Sequence, residues 1–404
     1  MAVPKLRFKA ADGSQFPDWE KKKISDIFSK VKEKNKDGRN QNVITNSAEF
    51  GLINQRDFFD KDIAVDGKTE NYTVIKTGDF VYNPRKSKQA PYGPFNCYHL
   101  EKDGIVSPLY TCLRPKGIAD NEYLQWYFQS GSWYRFIYEN GAQNGARHDR
   151  VGMTDSLMQE IPVHLPQLAE EQQKIADFLS TIDTVIAKQK ETVSAWEERK
   201  KGVMQKLFSQ EVRFKADDGS DFPEWEEKKL GEVFTERTER SKGGESLLSV
   251  TIAQGIIKQS ETDKRNSASE NKSNYKIVKK NDLAYNTMRM WQGAEGVSEY
   301  DGIVSPAYTV ITALDGNNSY FFETMFKQTF MLQVFQRYSQ GMTSDTWNLK
   351  FPAFSEIKCQ VPCEDEQNKI VECVAVLDKV IEKQKATLVA WKELKKGLLQ
   401  QMFV

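Results

Sequence analysis

RFKAADGSQFPDWEKKKISDIF, Arg7 to Phe28, returns as RFKADDGSDFPEWEEKKLGEVF, Arg213 to Phe234, with fourteen of the 22 positions identical. Further along, Asp103-Gly104-Ile105-Val106-Ser107-Pro108 comes back as Asp301-Gly302-Ile303-Val304-Ser305-Pro306. The segment Glu171 to Phe208 is answered by Glu366 to Phe403, with Lys188-Gln189-Lys190 matching Lys383-Gln384-Lys385 and Trp196 matching Trp391. The offsets are 206, 198 and 195 residues in turn, so the order is kept and the second copy is slightly shorter. Three unlike blocks repeated in order at a nearly constant offset mark a tandem duplication.

The pattern inside each copy changes midway. From about residue 40 to 165, short apolar runs such as Tyr72-Thr73-Val74-Ile75 and Asp79-Phe80-Val81-Tyr82 are punctuated by Gly, Pro, Asn and Asp, which reads as short strands and turns. Asn121 to Tyr138 and Ser319 to Tyr338 break that rhythm and read as helical. Each copy then closes on helical spacing: Ile175, Leu179, Ile182, Ile186, Gln189 and Trp196 in the first, Ile370, Val374, Leu377, Ile381, Gln384 and Trp391 in the second. Pro166 and Pro362 stand just ahead of these helices, where proline is tolerated.

A helix of this length leaves an apolar stripe that needs a partner, and the other copy offers one of the same period. These twelve residues are therefore the expected helix-pair interface, with Gln189 and Gln384 as polar positions that can fix register or simply sit as solvated gaps in the seam. The second RFKA block begins only four residues after Phe208, so the first helix delivers the chain to the second globular part and the second helix returns. That predicts an α+β protein: two mixed α/β domains in a pseudo-twofold tandem repeat, separated by two long helices forming an antiparallel coiled coil. The expected boundaries are 1–168, 169–209, 210–363 and 364–404, with the C-terminus close to the first RFKA block.

Composition narrows the function classes. The 404 residues are 39% hydrophobic and 28% charged, and no apolar run approaches the ~20 residues of a membrane span. No secretory signal opens the chain, so the cytoplasm is the expected compartment. Five cysteines without a C-x-x-C pair and three histidines argue against a disulfide framework or a metal site. Basic and acidic residues balance at 57 each, so any nucleic-acid surface has to come from charge segregated onto faces. Neither a phosphate loop nor a strand-linked G-x-G-x-x-G is present, so no cofactor is expected. Tyr82-Asn83-Pro84-Arg85 only partly matches the Asn-Pro-Pro-aromatic motif of amino-methyltransferases, and Tyr285-Asn286-Thr287-Met288 lacks even the proline. His148 beside Asp149 has no counterpart in the sister copy and reads as a loop residue.

In this order of blocks the chain resembles the specificity subunits of Type I restriction-modification systems. The resemblance rests on Phe16, Pro17 and Trp19 with Phe222, Pro223 and Trp225, on the two D-G-I-V-S-P blocks, and on the helix starts Pro166 to Ile175 and Pro362 to Ile370. It covers essentially the whole chain, and departs from the family pattern where Cys363 and Cys373 interrupt the second helix start. It implies two target-recognition domains, each reading one half of a bipartite, asymmetric double-stranded DNA target. It further implies helices that set the spacing and dock two methylation subunits, restriction subunits joining in the full complex, and no catalysis by this chain.

Base edges are read by Arg, Lys, Asn and Gln on loops that a common frame presents. Two loop pairs fit, because frame glycines match while side chains differ. In the first copy the candidates are Arg85, Lys86, Lys88 and Gln89 on one loop and Gln143, Asn144, Arg147 and Arg150 on the other. In the second they are Arg289, Trp291 and Gln292 with Thr343, Ser344 and Trp347. Lys30 to Lys36 and Lys258 to Lys280 are expected to add phosphate contacts. The rival reading from the residues alone is a duplicated, non-enzymatic adaptor for protein or RNA, and the third is a self-contained methyltransferase or nuclease.

Overall fold

A computed structural model describes residues 4–58, 69–141, 149–252, 254–262, 271–343 and 346–403. The chain forms two compact units: Met1–Glu191 with Lys385–Val404, and Thr192–Gln384. The helices Ala169–Phe208 and Glu364–Met402 are each continuous, and each gives one half to either unit.

The two units repeat one topology. In the first, an antiparallel sheet runs in the order Phe28–Lys30, Thr111–Pro115, Phe80–Tyr82, Phe95–Cys97. In the second the order is Phe234–Glu236, Tyr308–Ala313, Leu283–Asn286, Glu295–Val297. The D-G-I-V blocks are the strands Gly104–Val106 and Gly302–Val304, paired with Thr73–Ile75 and Lys276–Val278. Glycine leads them for lack of room: a Cβ on Gly104 would lie 2.5 Å from Ile44 Cγ1, and one on Gly302 would lie 2.5 Å from the Ser246 carbonyl oxygen. The stretches read as single helices are each broken in two. The first is cut at Gly131, in the left-handed region with φ 77°, and the second between Ser319–Phe326 and Thr329–Tyr338.

The repeated opening block works as a clamp on the first turn of a long helix. Glu171 is fully buried; Arg7 grips it with Nε and Nη2, both at 2.9 Å, and Trp19 Nε1 donates to it at 3.2 Å. In the second unit Arg213 reaches Glu366 at 3.1 and 2.8 Å, and Trp225 Nε1 donates to it at 3.0 Å. The glutamine that follows pins the neighbouring helix start. Gln172 Oε1 accepts from the Asp120 amide and Gln367 Oε1 from the Asn318 amide, both at 2.8 Å. Asp120 and Asn318 cap the helices Asn121–Ser130 and Ser319–Phe326 through their own side chains.

Within each unit the two long-helix segments run antiparallel. Asp183 pairs with Lys395 at 2.6 Å in the first unit, and Lys200 with Asp378 at 2.5 Å in the second. Position 183 plus 195 is 378 and 200 plus 195 is 395, so the two pairs exchange under the sequence repeat. Of the twelve expected interface residues, Ile175, Leu179, Ile182, Ile370, Val374 and Ile381 are buried and the other six half-buried. One reading changes. Ile175 and Leu179 belong to the first unit's globular core, joined there by Leu399, Met402 and Phe403 from the end of the other helix, and Ile370 belongs to the second core. A stripe facing only its partner helix would leave the sheet and the helix 121–130 without cover, so the helix ends serve both layers. The C-terminal end lies by the first opening block, with the Leu6 amide 3.0 Å from the Gln401 oxygen and Phe403 against Trp19.

Candidate nucleic-acid interface

In each unit the two loops singled out in the sequence meet through the backbone. In the first, the Val151 amide donates to the Pro84 oxygen and the Lys86 amide to the Asp149 oxygen, both at 2.9 Å, and Arg85 and Arg150 form an antiparallel bridge. In the second, the Leu349 amide donates to the Thr287 oxygen at 2.8 Å, and Gln340 bridges Asn348. Pro84 therefore answers Thr287, and Val151 answers Leu349.

The side chains on this shared frame differ. Arg85, Lys86 and Lys88 are exposed; Arg85 is only loosely balanced by Asp149 at 3.9 Å, and among the described residues the two lysines form no ion pair. Arg150 is half-buried and its Nε has no hydrogen-bond partner among the described residues. Gln89, also exposed, lines the mouth of a separate cleft of about 540 Å³ with Asn96, His99 and Gln129. In the second unit Arg289 and Gln292 are exposed at a 3₁₀ turn. Trp291 and Trp347 are half-buried, edge to face at 5.2 Å. Thr343 is exposed and turns the loop by accepting from the Thr346 amide at 2.9 Å. Gln143, Asn144, Arg147, His148 and Ser344 lie outside the described residues.

Other expectations shift. Among the described lysines of 30–36 and 258–280 most are engaged, Lys30 with Asp155, Lys34 with the Thr73 hydroxyl, Lys276 with Glu236, Lys279 with Asp301, and Lys258 over the Tyr300 ring, while Lys264 lies outside the described residues. They hold the sheet margins and leave fewer cations for phosphate. The partial methyltransferase motif is structural: Tyr82 is buried with its hydroxyl donating to the Tyr92 oxygen at 2.8 Å, and Asn83 ties the Asn46 carbonyl to the Arg85 amide.

A family model described as the Type I restriction modification DNA specificity domain matches residues 17–194 and again residues 223–389. The chain belongs to that family. As a member with two copies, it is 27% identical over 234 residues to the Type I restriction enzyme MjaVIII specificity subunit of Methanocaldococcus jannaschii, a match covering 56% of this chain and 52% of that one. The chain thus spans about half the length of the curated relative it matches. Among solved structures, the fold is shared with a chain of a type I R-M system studied for complex assembly and conformational transition, with TM-score 0.57, 14% identity, and coverage of 96% and 98%. It is shared too with the HsdS subunit from Thermoanaerobacter tengcongensis, with TM-score 0.50, 16% identity, and coverage of 96% and 97%. No helix among the described residues is long and apolar enough to cross a membrane.

For this member of the specificity-domain family, three positions on the loop frame escaped sequence reasoning. Met288 and Met342 are exposed on the loops that carry the tryptophans, and Lys350 follows Leu349 with its side chain in solvent. Methionine gives no polar signal in a sequence, and Lys350 joins the loop only through the contact of Leu349 with Thr287, 62 positions away.

Proposed function

We propose that the chain is the DNA sequence-specificity subunit of a Type I restriction-modification complex. Residues 1–168 read one half of a bipartite, asymmetric double-stranded target and residues 210–363 the other. The helices 169–209 and 364–404 set the half-site spacing and dock two methylation subunits, and restriction subunits complete the complex. The carrying observation is a loop pair closed by an equivalent backbone contact in both units, Val151 to Pro84 and Leu349 to Thr287, yet bearing unlike side chains, Arg85 and Asp149 against Met288 and Trp347. A frame kept constant while its tips diverge is what two different half-sites require.

Catalysis is assigned to the partners. Cys97, Cys112 and Cys359 are buried, and burial pushes each thiol up to about 12, far from a reactive thiolate at neutral pH. Exchanging residues 30–160 for those of another family member is expected to change one half of the selected target and leave the other intact, read by sequencing duplexes retained from a random library. A change in both halves defeats the modular assignment. Lys86→Ala and Lys88→Ala are each expected to lower the slope of log affinity against log salt by about one, uniformly across sequences, because each cation releases about one counterion on meeting a phosphate. An unchanged slope removes these lysines from the interface.

A further inference from the structure

Because Pro84 answers Thr287 and Val151 answers Leu349, the register of the two loop pairs is fixed, and substitutions can be compared position by position. Arg85 is replaced by Met288, Lys86 by Arg289, and Asp149 by Trp347. The charged pair Arg85 and Asp149 of the first unit thus gives way to sulfur and indole. Met288 is 46% exposed and Met342, on the facing loop, 98%. Trp291 adds a second ring against Trp347, and its Nε1 already donates to the Met288 oxygen at 3.1 Å. With its one polar atom engaged inside the protein, Trp291 presents carbon. Around this centre stand Arg289 and Lys350, both exposed and without an ion pair among the described residues. Cations flanking an apolar tip match phosphates flanking a base edge.

Carbon and thioether surfaces cannot read the donors and acceptors of the major groove. The one apolar feature there that distinguishes bases is the C5-methyl group of thymine. Resting on the DNA-reading assignment above, we infer that the second domain recognises thymine methyl groups through Met288, Trp291 and Trp347, with Arg289 and Lys350 on the flanking phosphates. The first domain, bearing the charged pair Arg85 and Asp149 where the second bears Met288 and Trp347, reads hydrogen-bonding edges instead. The two half-sites therefore differ in chemistry as well as in sequence.

The test uses the full chain in its restriction-modification complex. Its target is selected from random duplexes, and the thymines of each half are then replaced in turn by deoxyuridine, which pairs identically and lacks the methyl. Replacement in one half only is expected to weaken binding about fourfold per contacted thymine, the factor for one buried CH₂-sized group. Met288→Ala, at the exposed tip, and Trp347→Ala should each reduce that dependence, whereas Arg85→Ala should leave it whole. A selected target that tolerates deoxyuridine in both halves within twofold, or holds no thymine in either, overturns the inference while the DNA-reading assignment stands. A dependence that survives both variants also overturns it. Failure to select any sequence brings down the DNA-reading assignment itself, and the inference with it.

Discussion

Glu171→Ala is expected to destabilise the first unit by about 3–5 kcal/mol, the cost of breaking a buried ion pair by removing one partner. Glu171 is wholly enclosed and the Arg7 side chain is only 11% exposed, so water cannot take over the lost contacts. The substitution strips the Arg7 guanidinium of both carboxylate oxygens, which in the intact chain hold its pKa above the usual arginine value. It also leaves the Trp19 indole N–H without its acceptor in a buried site. Among the described residues Arg7 keeps the Phe16 and Pro17 carbonyls, at 3.3 and 2.8 Å, and the face of the Trp19 ring at 6.0 Å. Urea unfolding followed by hydrogen exchange is expected to show early opening of the block Arg7 to Phe28 together with the first turn of the helix. Glu366→Ala should do the same to the second unit. Replacing Arg7 and Glu171 together with methionine should cost far less than either single loss, because apolar replacement of both partners is often close to neutral. A loss below about 1 kcal/mol for Glu171→Ala would show that the clamp orients the helix without stabilising it.

Glu295→Leu is expected to stabilise the second unit by about 1–4 kcal/mol at pH 8, the range for replacing buried charge with apolar volume. Glu295 is fully buried at the sheet position that Phe95 fills in the first unit, where Phe95 packs on Phe128 at a ring distance of 4.0 Å. Among the described residues neither carboxyl oxygen of Glu295 has a hydrogen-bond partner. Lys327 stands 3.8 Å away but pairs more closely with Glu323 at 2.6 Å, and Gly255 covers the backbone from the facing hairpin. Burial raises the carboxyl well above the ordinary glutamate value, Lys327 opposing and Glu323 adding to the shift. The folded unit then holds a proton that the unfolded chain has released. Its stabilising effect is complete below the unfolded pKa and is lost as pH rises through the folded one, at about 1.4 kcal/mol per pH unit. Denaturant midpoints for the second unit should fall between pH 5 and 8, and Glu295→Leu should flatten that trend. A wild-type midpoint constant over the same range would mean that water or a rearranged Lys327 reaches the carboxylate.

Compensated exchange is visible elsewhere in the duplication. Asp79 is buried and held by Arg114 through two bonds of 2.7 Å, whereas its counterpart Asp282 is held by Arg237. Arg114 answers Thr312 and Arg237 answers Val31, so the guanidinium has moved to the adjacent strand while the buried carboxylate kept its partner. Aligning the copies alone shows an arginine lost and another gained, and only the pairing of strands reveals them as one substitution.

What the chain declared by itself was everything governed by short spacing. The repeated RFKA and D-G-I-V-S-P blocks announced two copies, the helical period from Ile175 and from Ile370 announced two long helices, and loops of unlike chemistry on matching glycines marked the candidate reading edges, because turns and helical faces follow from neighbours in sequence. Tertiary structure alone decided that Glu171 and Glu366 are the buried anchors of the opening blocks, that the helix ends enter the globular cores, that most margin lysines are engaged, and that Met288 and Lys350 share a surface with Trp347. Each of these depends on partners some 20 to 380 positions apart, and the burial that gives a carboxylate or a methionine its meaning exists only once those distant segments close on one another.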